Sequence, residues 1–223
     1  MAIIANDFPT DPGVRRESAE LPVIMSRLAF SVATSAAVDR RVVVGFSGHF
    51  GKTGFDFLVP GPPTLSLPPE DDARFNTWSL NVDAEAPLSE ELTIRGEFFH
   101  GANLSPFFGG IGQGVCPCAR QSIHSTGGWG ELVKVWSPSW ETHVGFGADD
   151  PANGDFVFGR GLNQFIFGNQ IWHVTDSLST GLELSWWRTL YQESRAGRIP
   201  AALQAPSAPG EAVTVEWMVR YDF

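Results

Sequence analysis

The sequence predicts an all-β protein of antiparallel, up-and-down strands, and three observations support this fold class. About nine segments place apolar residues at every second position, which is the period of a strand with one apolar face. The connections between these segments alternate between short and long. The last segment, EAVTVEWMVRYDF, keeps its alternation to the final residue. No segment shows the period of an amphipathic helix.

The chain divides into an N-terminal segment and one β domain. Residues 1–22 show no strand-like alternation and are expected to form an extended loop, while 23–223 are expected to form the β domain. The predicted strands are 23–32, 41–50, 76–86, 92–100, 126–136, 141–147, 162–174, 180–187 and 211–223.

The two faces of these strands differ in chemistry. In 76–86, Trp78 and Leu80 lie on an apolar face, and polar or acidic residues occupy the other face. Two segments depart from this pattern. The segment 126–136 alternates poorly, so its facing stays open. The segment 162–174 is apolar on both faces in its middle, which indicates a bulge or a partner on each side.

The connections fall into two length classes. Short turns are predicted near 33–40, 87–91, 137–140 and 175–178, and long loops near 51–75, 101–125, 148–161 and 192–210. The first long loop contains PGPPTLSLPPEDD, whose prolines cannot donate to a ladder. Its GFDFLV stretch either extends the preceding strand or forms a small hairpin.

This alternation of turn and loop lengths is typical of outer-membrane barrels, which have short periplasmic turns and longer external loops. A sandwich with Greek-key crossings does not require it. The charges also collect on one face of the strands, which suits a polar lumen. We therefore predict an antiparallel, up-and-down transmembrane β-barrel.

The final strand indicates a direction for the chain. Val219, Tyr221 and Phe223 resemble the C-terminal signal that outer-membrane assembly machinery reads. If this strand runs toward the periplasm, the first strand begins outside. Single-chain bacterial barrels have an even strand number with both ends in the periplasm. Nine strands therefore predict an incomplete barrel, either the C-terminal part of a larger one or one that other copies close.

Composition limits the classes of function. No run approaches the ~18 apolar residues of a spanning helix. The formal charge of −10 argues against binding to nucleic acid or, through a basic patch, to anionic lipid. Residues 1–22 lack a charged region followed by an apolar core, so no signal peptide is expected there. A weaker candidate, LAFSVATSAA after Arg27, also reads well as a strand.

Three segments carry a family resemblance: WSLNVDAEAPLSEELTIRGEFFHGANLSPFFGGIGQGV, STGGWGELVKVWSPSWETHVGFGADDP and GRGLNQFIFGNQIWHVTDSLSTGLELSWWRTLY. They resemble the C-terminal half of large bacterial outer-membrane porin-like proteins, over roughly residues 40–223. The resemblance implies a barrel, an outer-membrane location and passage of small solutes. It implies no particular substrate and no catalytic set.

Polar and charged residues opposite the apolar faces are the candidate pore-lining residues. They are Arg27, Asn81, Asp83, Glu85, Arg95, Glu97, Glu183, Glu216 and Arg220. Charged side chains around a pore bias its ion selectivity. Because acidic residues outnumber basic ones in this set, we predict a weak preference for cations. The alternative interpretation is the solvated face of a soluble sheet.

Aromatic residues at strand ends predict an interfacial girdle. The candidates are Trp136, Trp140, Trp172, Tyr221 and Phe223, all at the same membrane edge. The alternative is that they are core aromatics of a sandwich.

Two cysteines lie in the second long loop. Cys116 and Cys118 have His100 and His124 near them in sequence. Structural zinc sites usually separate their cysteines by two to four residues, and a disulfide between residues two apart is strained. Incidental or externally oxidised cysteines are expected, with no metal and no other cofactor.

Catalysis has little support in the sequence. Ser125 beside His124, or His143 with Glu141, could be arranged as a hydrolase site, but neither pair has a distinctive spacing. Gly-rich FFGGIGQGV does not follow a strand and open a helix, so it indicates loop flexibility and not a phosphate loop. We predict no catalytic residues and no enzymatic activity.

The predicted function is passive diffusion of small hydrophilic solutes through a bacterial outer membrane. The expected partners are outer-membrane lipid, the assembly machinery acting through the last strand, the solutes, and possible further copies of the chain. No nucleic acid is expected. Two alternatives stay open: a soluble, lectin-like module that stacks Trp on sugar rings, and a structural outer-membrane barrel without conductance.

Overall fold

The computed structural model describes residues 14–17, 22–33, 40–58, 67–117, 119–156, 159–192 and 208–222. Apart from two 3-10 turns, at Ser105–Phe107 and Gly110–Gly112, the regular structure of these residues is all strand. The strands are β1 (Val14–Glu17), β2 (Ile24–Ala33), β3 (Arg41–Phe57), β4 (Glu70–Pro87), β5 (Leu92–Ala102), β6 (Val115–Cys116), β7 (Gln121–Ser122), β8 (His124–Ser137), β9 (Trp140–Pro151), β10 (Gly159–Thr175), β11 (Leu178–Gln192) and β12 (Gly210–Tyr221).

Ten strands form one sheet in the order β1-β3-β4-β5-β8-β9-β10-β11-β12, with β2 also paired to β3. All of its pairings are antiparallel. The small β6–β7 pair lies in the connection between β5 and β8. The predicted all-β, up-and-down architecture is confirmed.

Within the described residues the sheet is open. At one edge β12 pairs with β11. At the other edge β2 pairs with residues 41–50 of β3 and β1 with residues 54–57, so β1 and β2 share one position end to end. The sheet thus has about nine positions, as predicted for an incomplete barrel. β1 also places a short strand inside the segment 1–22, where the sequence predicts an extended loop.

Connection lengths alternate as the sequence predicts. The bounds of the strands leave connections at 34–40, 88–91, 138–139 and 176–177, and each of the connections at 58–69, 103–123, 152–158 and 193–209 is longer than those next to it in the chain. The first long loop is shorter than predicted. β3 continues to Phe57 because its backbone pairs with an early extension of β4, which begins at Glu70. GFDF therefore belongs to a strand.

No described residue covers the apolar face of the sheet. Leu80 is 67% and Trp217 is 75% exposed on this face. Buried apolar side chains such as Leu104, Ile123 and Phe156 lie instead in the connections at the long-loop end. The sheet is therefore not one layer of a conventional sandwich core.

No helix among the described residues is long and apolar enough to cross a membrane.

The middle of β10 contains no bulge. Its register with β9 is continuous over residues 163–172, and the shifts against β11 fall near its two ends. Ile166 lies on the apolar face, whereas Phe165 and Phe167 lie on the opposite face, each paired with a glycine of β9. The bulge that the sequence left open is therefore wrong for the middle of β10, and a partner is seen on the polar face alone, since Ile166 is 54% exposed.

Candidate functional site on the polar face of the sheet

All nine predicted pore-lining residues share the face opposite the apolar one. The strand register connects them from neighbour to neighbour; Asp83 lies opposite Glu97, for example, and Glu183 opposite Glu216. We call this surface the polar face. It carries Arg27, Asn81, Asp83, Glu85, Arg95, Glu97, Glu183, Glu216 and Arg220. That these side chains line a pore stays a prediction.

An ion pair links β2 to β4 on the polar face. Arg27 Nη2 lies 2.5 Å from Asp83 Oδ2, and Arg27 Nε donates to Asp83 Oδ1 at 3.2 Å. Two parallel contacts of this kind fix both charges in place. Glu97, opposite Asp83 on β5, has no ion-pair partner among the described residues.

A second chain of charges crosses the polar face from β5 to β10. Arg95 Nε donates to Glu131 Oε1, and the other oxygen of Glu131 lies 3.4 Å from His143 Nδ1. Glu141 Oε1 lies 3.4 Å from Nε2 of His143 and 3.6 Å from Nε2 of His173. Sequence reasoning placed only Arg95 on this surface and missed the acidic and imidazole groups around it.

Three further predicted residues have local partners. Glu183 accepts a hydrogen bond from Asn169 Nδ2 at 3.0 Å. Arg220 Nε donates to Asp222 Oδ1 at 2.9 Å. Asn81 Nδ2 donates to a serine of β3 at 3.2 Å. These contacts hold the polar side chains against the sheet.

The connection 103–123, called the inward loop below, folds over the polar face at the long-loop end. The backbone N–H of Ile111 donates to Asp149 Oδ2 at 2.9 Å. Gln113 Nε2 donates to the carbonyl of Arg160 at 2.7 Å, and its Oε1 accepts from the N–H of the same residue at 2.9 Å. The loop is thereby attached to β9 and β10.

The start of the inward loop is attached to β3 and β4. Asn103 is fully buried; its Nδ2 donates to Thr53 Oγ1 at 2.6 Å, and its carbonyl accepts from Thr77 Oγ1 at 2.9 Å. The ring of Phe107 lies 3.9 Å from that of His49, centroid to centroid. The loop therefore crosses the polar face from β3 to β10.

A cavity of about 770 Å³ lies between the inward loop and the sheet. Arg27, Glu97 and Asp149 supply its charged groups. Aromatic rings supply much of the rest, from Phe99, Phe107, Phe108, Trp129, Phe165 and Trp187. Sequence reasoning did not assign these aromatics to a site.

The predicted aromatic girdle gathers at the short-turn end. Trp140 and Trp172 lie opposite each other on neighbouring strands, with ring centroids 4.5 Å apart in an edge-to-face arrangement. Trp136 and Tyr221 lie exposed at the same end. Phe223 is outside the described residues. The interfacial role of the group stays a prediction.

Of the residues considered for metal binding and catalysis, His143 and Glu141 do lie together, 3.4 Å apart, whereas the other described ones have separate partners. Cys116 is buried and disulfide-bonded, and Cys118 lies outside the described residues. Ser125 Oγ donates to Asp149, whereas His124 Nδ1 lies 2.8 Å from a carboxylate oxygen of a different aspartate. These neighbours in sequence thus do not form a nucleophile–base pair. No group of three or more metal-ligating side chains occurs in the part of the chain that is described.

An up-and-down antiparallel sheet with one apolar face and one polar face is the wall architecture of transmembrane β-barrels. A solved structure shares this fold: the outer membrane channel DcaP of Acinetobacter baumannii, with a TM-score of 0.69 and 11% sequence identity. The similarity covers 96% of this chain and 55% of that channel, so the chain spans about half its length. No protein-family model and no curated protein matches the sequence. The predicted porin-like fold is confirmed, while the assignment to a C-terminal half stays a prediction.

Proposed function

We propose that this chain forms the wall of an outer-membrane channel through which small hydrophilic solutes diffuse passively. The opposite chemistry of the two sheet faces carries the proposal. Large apolar side chains are exposed on one face, and ion pairs and hydrogen bonds cover the other. Lipid outside and water inside would stabilise both faces at once.

Strand length supports the same function. A tilted strand needs about 9–11 residues to cross the hydrocarbon layer. The principal strands have 10 residues in β2 and up to 18 in β4. The longest ones can therefore span the membrane and continue beyond it.

Charge on the polar face favours cations. The nine predicted residues include Arg27, Arg95 and Arg220 against five carboxylates, and Glu131 and Glu141 add two more. A fixed excess of negative charge raises the local concentration of cations in a water-filled pore. The size filter would be the inward loop, which narrows the path over the polar face.

Planar-bilayer recording on the full-length protein tests the proposal. We expect discrete conductance steps and a reversal potential of the sign that cations give under a salt gradient. Unaltered bilayer conductance, together with heat-modifiable migration that shows a folded barrel, would favour a structural barrel instead. A preference for anions would contradict the proposed cation selectivity but would still agree with a channel function.

The soluble, lectin-like alternative makes a different prediction. A soluble module would stay monomeric in plain buffer, whereas a lipid-facing wall requires detergent to remain dispersed. The exposed apolar face favours the second outcome. Sedimentation with and without detergent distinguishes the two.

The outer-membrane location and the partners belong to the same proposal. Val219 and Tyr221 lie on the apolar face at the end of β12, where assembly machinery could read them. Outer-membrane lipid would cover that face, and further copies of the chain are a possible means of closing the sheet.

A further inference from the structure

Aromatic rings form a continuous surface on the polar face beneath the inward loop. One register row across five strands carries Glu97, Trp129, Gly147, Phe165 and Trp187. The rings of Phe165 and Trp187 stack with centroids 4.6 Å apart and planes 25° apart. Phe167 continues the stack, 6.1 Å from Phe165. The surface therefore extends along β10 and onto β11.

Glycines of the neighbouring strands make room for three rings of the polar face. A β-carbon would lie 2.3 Å from the ring of Phe165 if added at Gly147, and 2.4 Å from the ring of Phe167 if added at Gly145. The same holds for Phe99 over Gly127, at 2.4 Å. Each of these three rings thus occupies the space over a glycine of the neighbouring strand. Phe99, Phe165 and Trp187 also line the cavity, so their rings are within reach of a bound molecule.

The charges beside this surface are mostly negative. Arg27 is already paired with Asp83. Glu97 stands directly opposite Trp129 with no ion-pair partner among the described residues, and Asp149 also lines the cavity. A cation over an aromatic face is attracted by the ring quadrupole. An anion would instead meet two carboxylates.

We infer that this cavity binds organic cations that carry a ring, which stack on Phe165 and Trp187 while Glu97 pairs with the positive group. The inference rests on the proposed channel function, because it names the class of solute that the pore would retain in passage. The aromatic rings supply a surface for a planar group, and the carboxylate of Glu97 supplies the negative charge. Neither group alone selects a molecule with both features.

Calorimetric titration of the detergent-solubilised, full-length protein with benzyltrimethylammonium tests the inference. We expect saturable binding that Trp187→Leu and Glu97→Gln each weaken by about three- to tenfold. Tetramethylammonium lacks the ring and benzenesulfonate reverses the charge, so each should bind more weakly than benzyltrimethylammonium. Equal affinity for benzenesulfonate, or unchanged affinity in Trp187→Leu, would overturn the inference.

Matched variants separate this site from general effects. Trp217→Leu removes a tryptophan from the apolar face and should leave the affinity unchanged. Gly147→Ala should lift the ring of Phe165 and weaken binding, whereas Gly168→Ala, whose added carbon would have its nearest neighbour at 3.8 Å, should not. Heat-modifiable migration checks that each variant is folded.

Conductance measured on the same preparation separates the two proposals. A conducting protein without binding of benzyltrimethylammonium would overturn this inference and leave the channel function intact. Binding of benzyltrimethylammonium without conductance would support the cation-binding cavity and contradict the proposed channel function.

Discussion

The guanidinium of Arg27 on β2 and the carboxylate of Asp83 on β4 meet across β3, directly over Gly45. A β-carbon at Gly45 would lie 2.4 Å from Asp83 Oδ1 and 2.6 Å from Arg27 Nη2. The ion pair therefore occupies the space that a side chain on β3 would need. Both partners end flexible side chains, so they can separate without movement of the backbone.

Two glycine substitutions on β3 should differ in their cost. Gly45→Ala should separate Arg27 from Asp83 and lower the free energy of unfolding by less than about 1 kcal/mol, because a partly exposed ion pair contributes little. Gly48→Ala should cost about 1–3 kcal/mol, because the new carbon would lie 2.4 Å from the backbone carbonyl oxygen of Ser79. Denaturant unfolding in detergent measures both. Equal losses would contradict this account of the two sites.

Removing either partner of that ion pair should change ion selectivity in opposite directions. Arg27→Gln leaves Asp83 uncompensated and should increase the preference for cations, whereas Asp83→Asn should decrease it. Reversal potentials under a salt gradient report the change. Lys134→Gln removes a positive charge at the short-turn end of the opposite face and serves as the control. Shifts of the same sign in the two pore variants would refute the prediction.

Asp149 should control the position of the inward loop. It accepts a hydrogen bond from the N–H of Ile111 and another from Ser125 Oγ, so Asp149→Ala removes both. We expect a larger and noisier single-channel current, because the loop loses an attachment to β9. The neighbouring Asp150→Ala changes the net charge equally at an exposed position. If the two variants behave alike, the charge and not the attachment is responsible.

The turn between β4 and β5, at residues 88–91, offers a test of pH dependence at the short-turn end of the sheet. A hydrogen bond from Lys134 Nζ, together with its charge, holds the pKa of the Glu91 carboxyl below its usual range. A depressed pKa means that the contribution to stability is present above the ordinary value of about 4.3 and is lost as the pH falls through the folded-state pKa.

Glu91→Gln should therefore lower the unfolding midpoint at neutral pH and have no effect in strong acid. Lys134→Gln should remove the same pH dependence, because it removes the group that depresses the pKa. Thermal unfolding of the three proteins across the acidic range measures this. If the difference in unfolding midpoint between wild type and Glu91→Gln grows as the pH falls, the pH dependence has the opposite sign and the prediction is wrong.

Much of the sheet could be predicted because a strand with one apolar face repeats every two residues. In β4 and β12 nearly every apolar position falls on one face, so both strands and their facing follow directly. β8 was harder. Gly127, Gly128 and Gly130 carry no side chain to mark a face, which hid the polar-face positions of Trp129 and Glu131.

The inward loop could not be predicted because its contacts are not local. Its Gly-rich sequence indicates flexibility, yet Ile111 is bound by a residue 38 positions away and Asn103 by one 50 positions away. The aromatic surface was missed for a similar reason. Phe165 and Phe167 appear as a second apolar face of β10 until the glycines of β9 are placed beside them.

The glycines beneath these rings also bear on the bore of any barrel that this sheet completes. A ring lying against the wall narrows a passage by its thickness, whereas an upright ring narrows it by its length. Gly127, Gly145 and Gly147 let three rings lean over the neighbouring strand and so lie closer to the wall. Three residues without side chains would thus set how wide a molecule can pass, although none of them has an atom that reaches it.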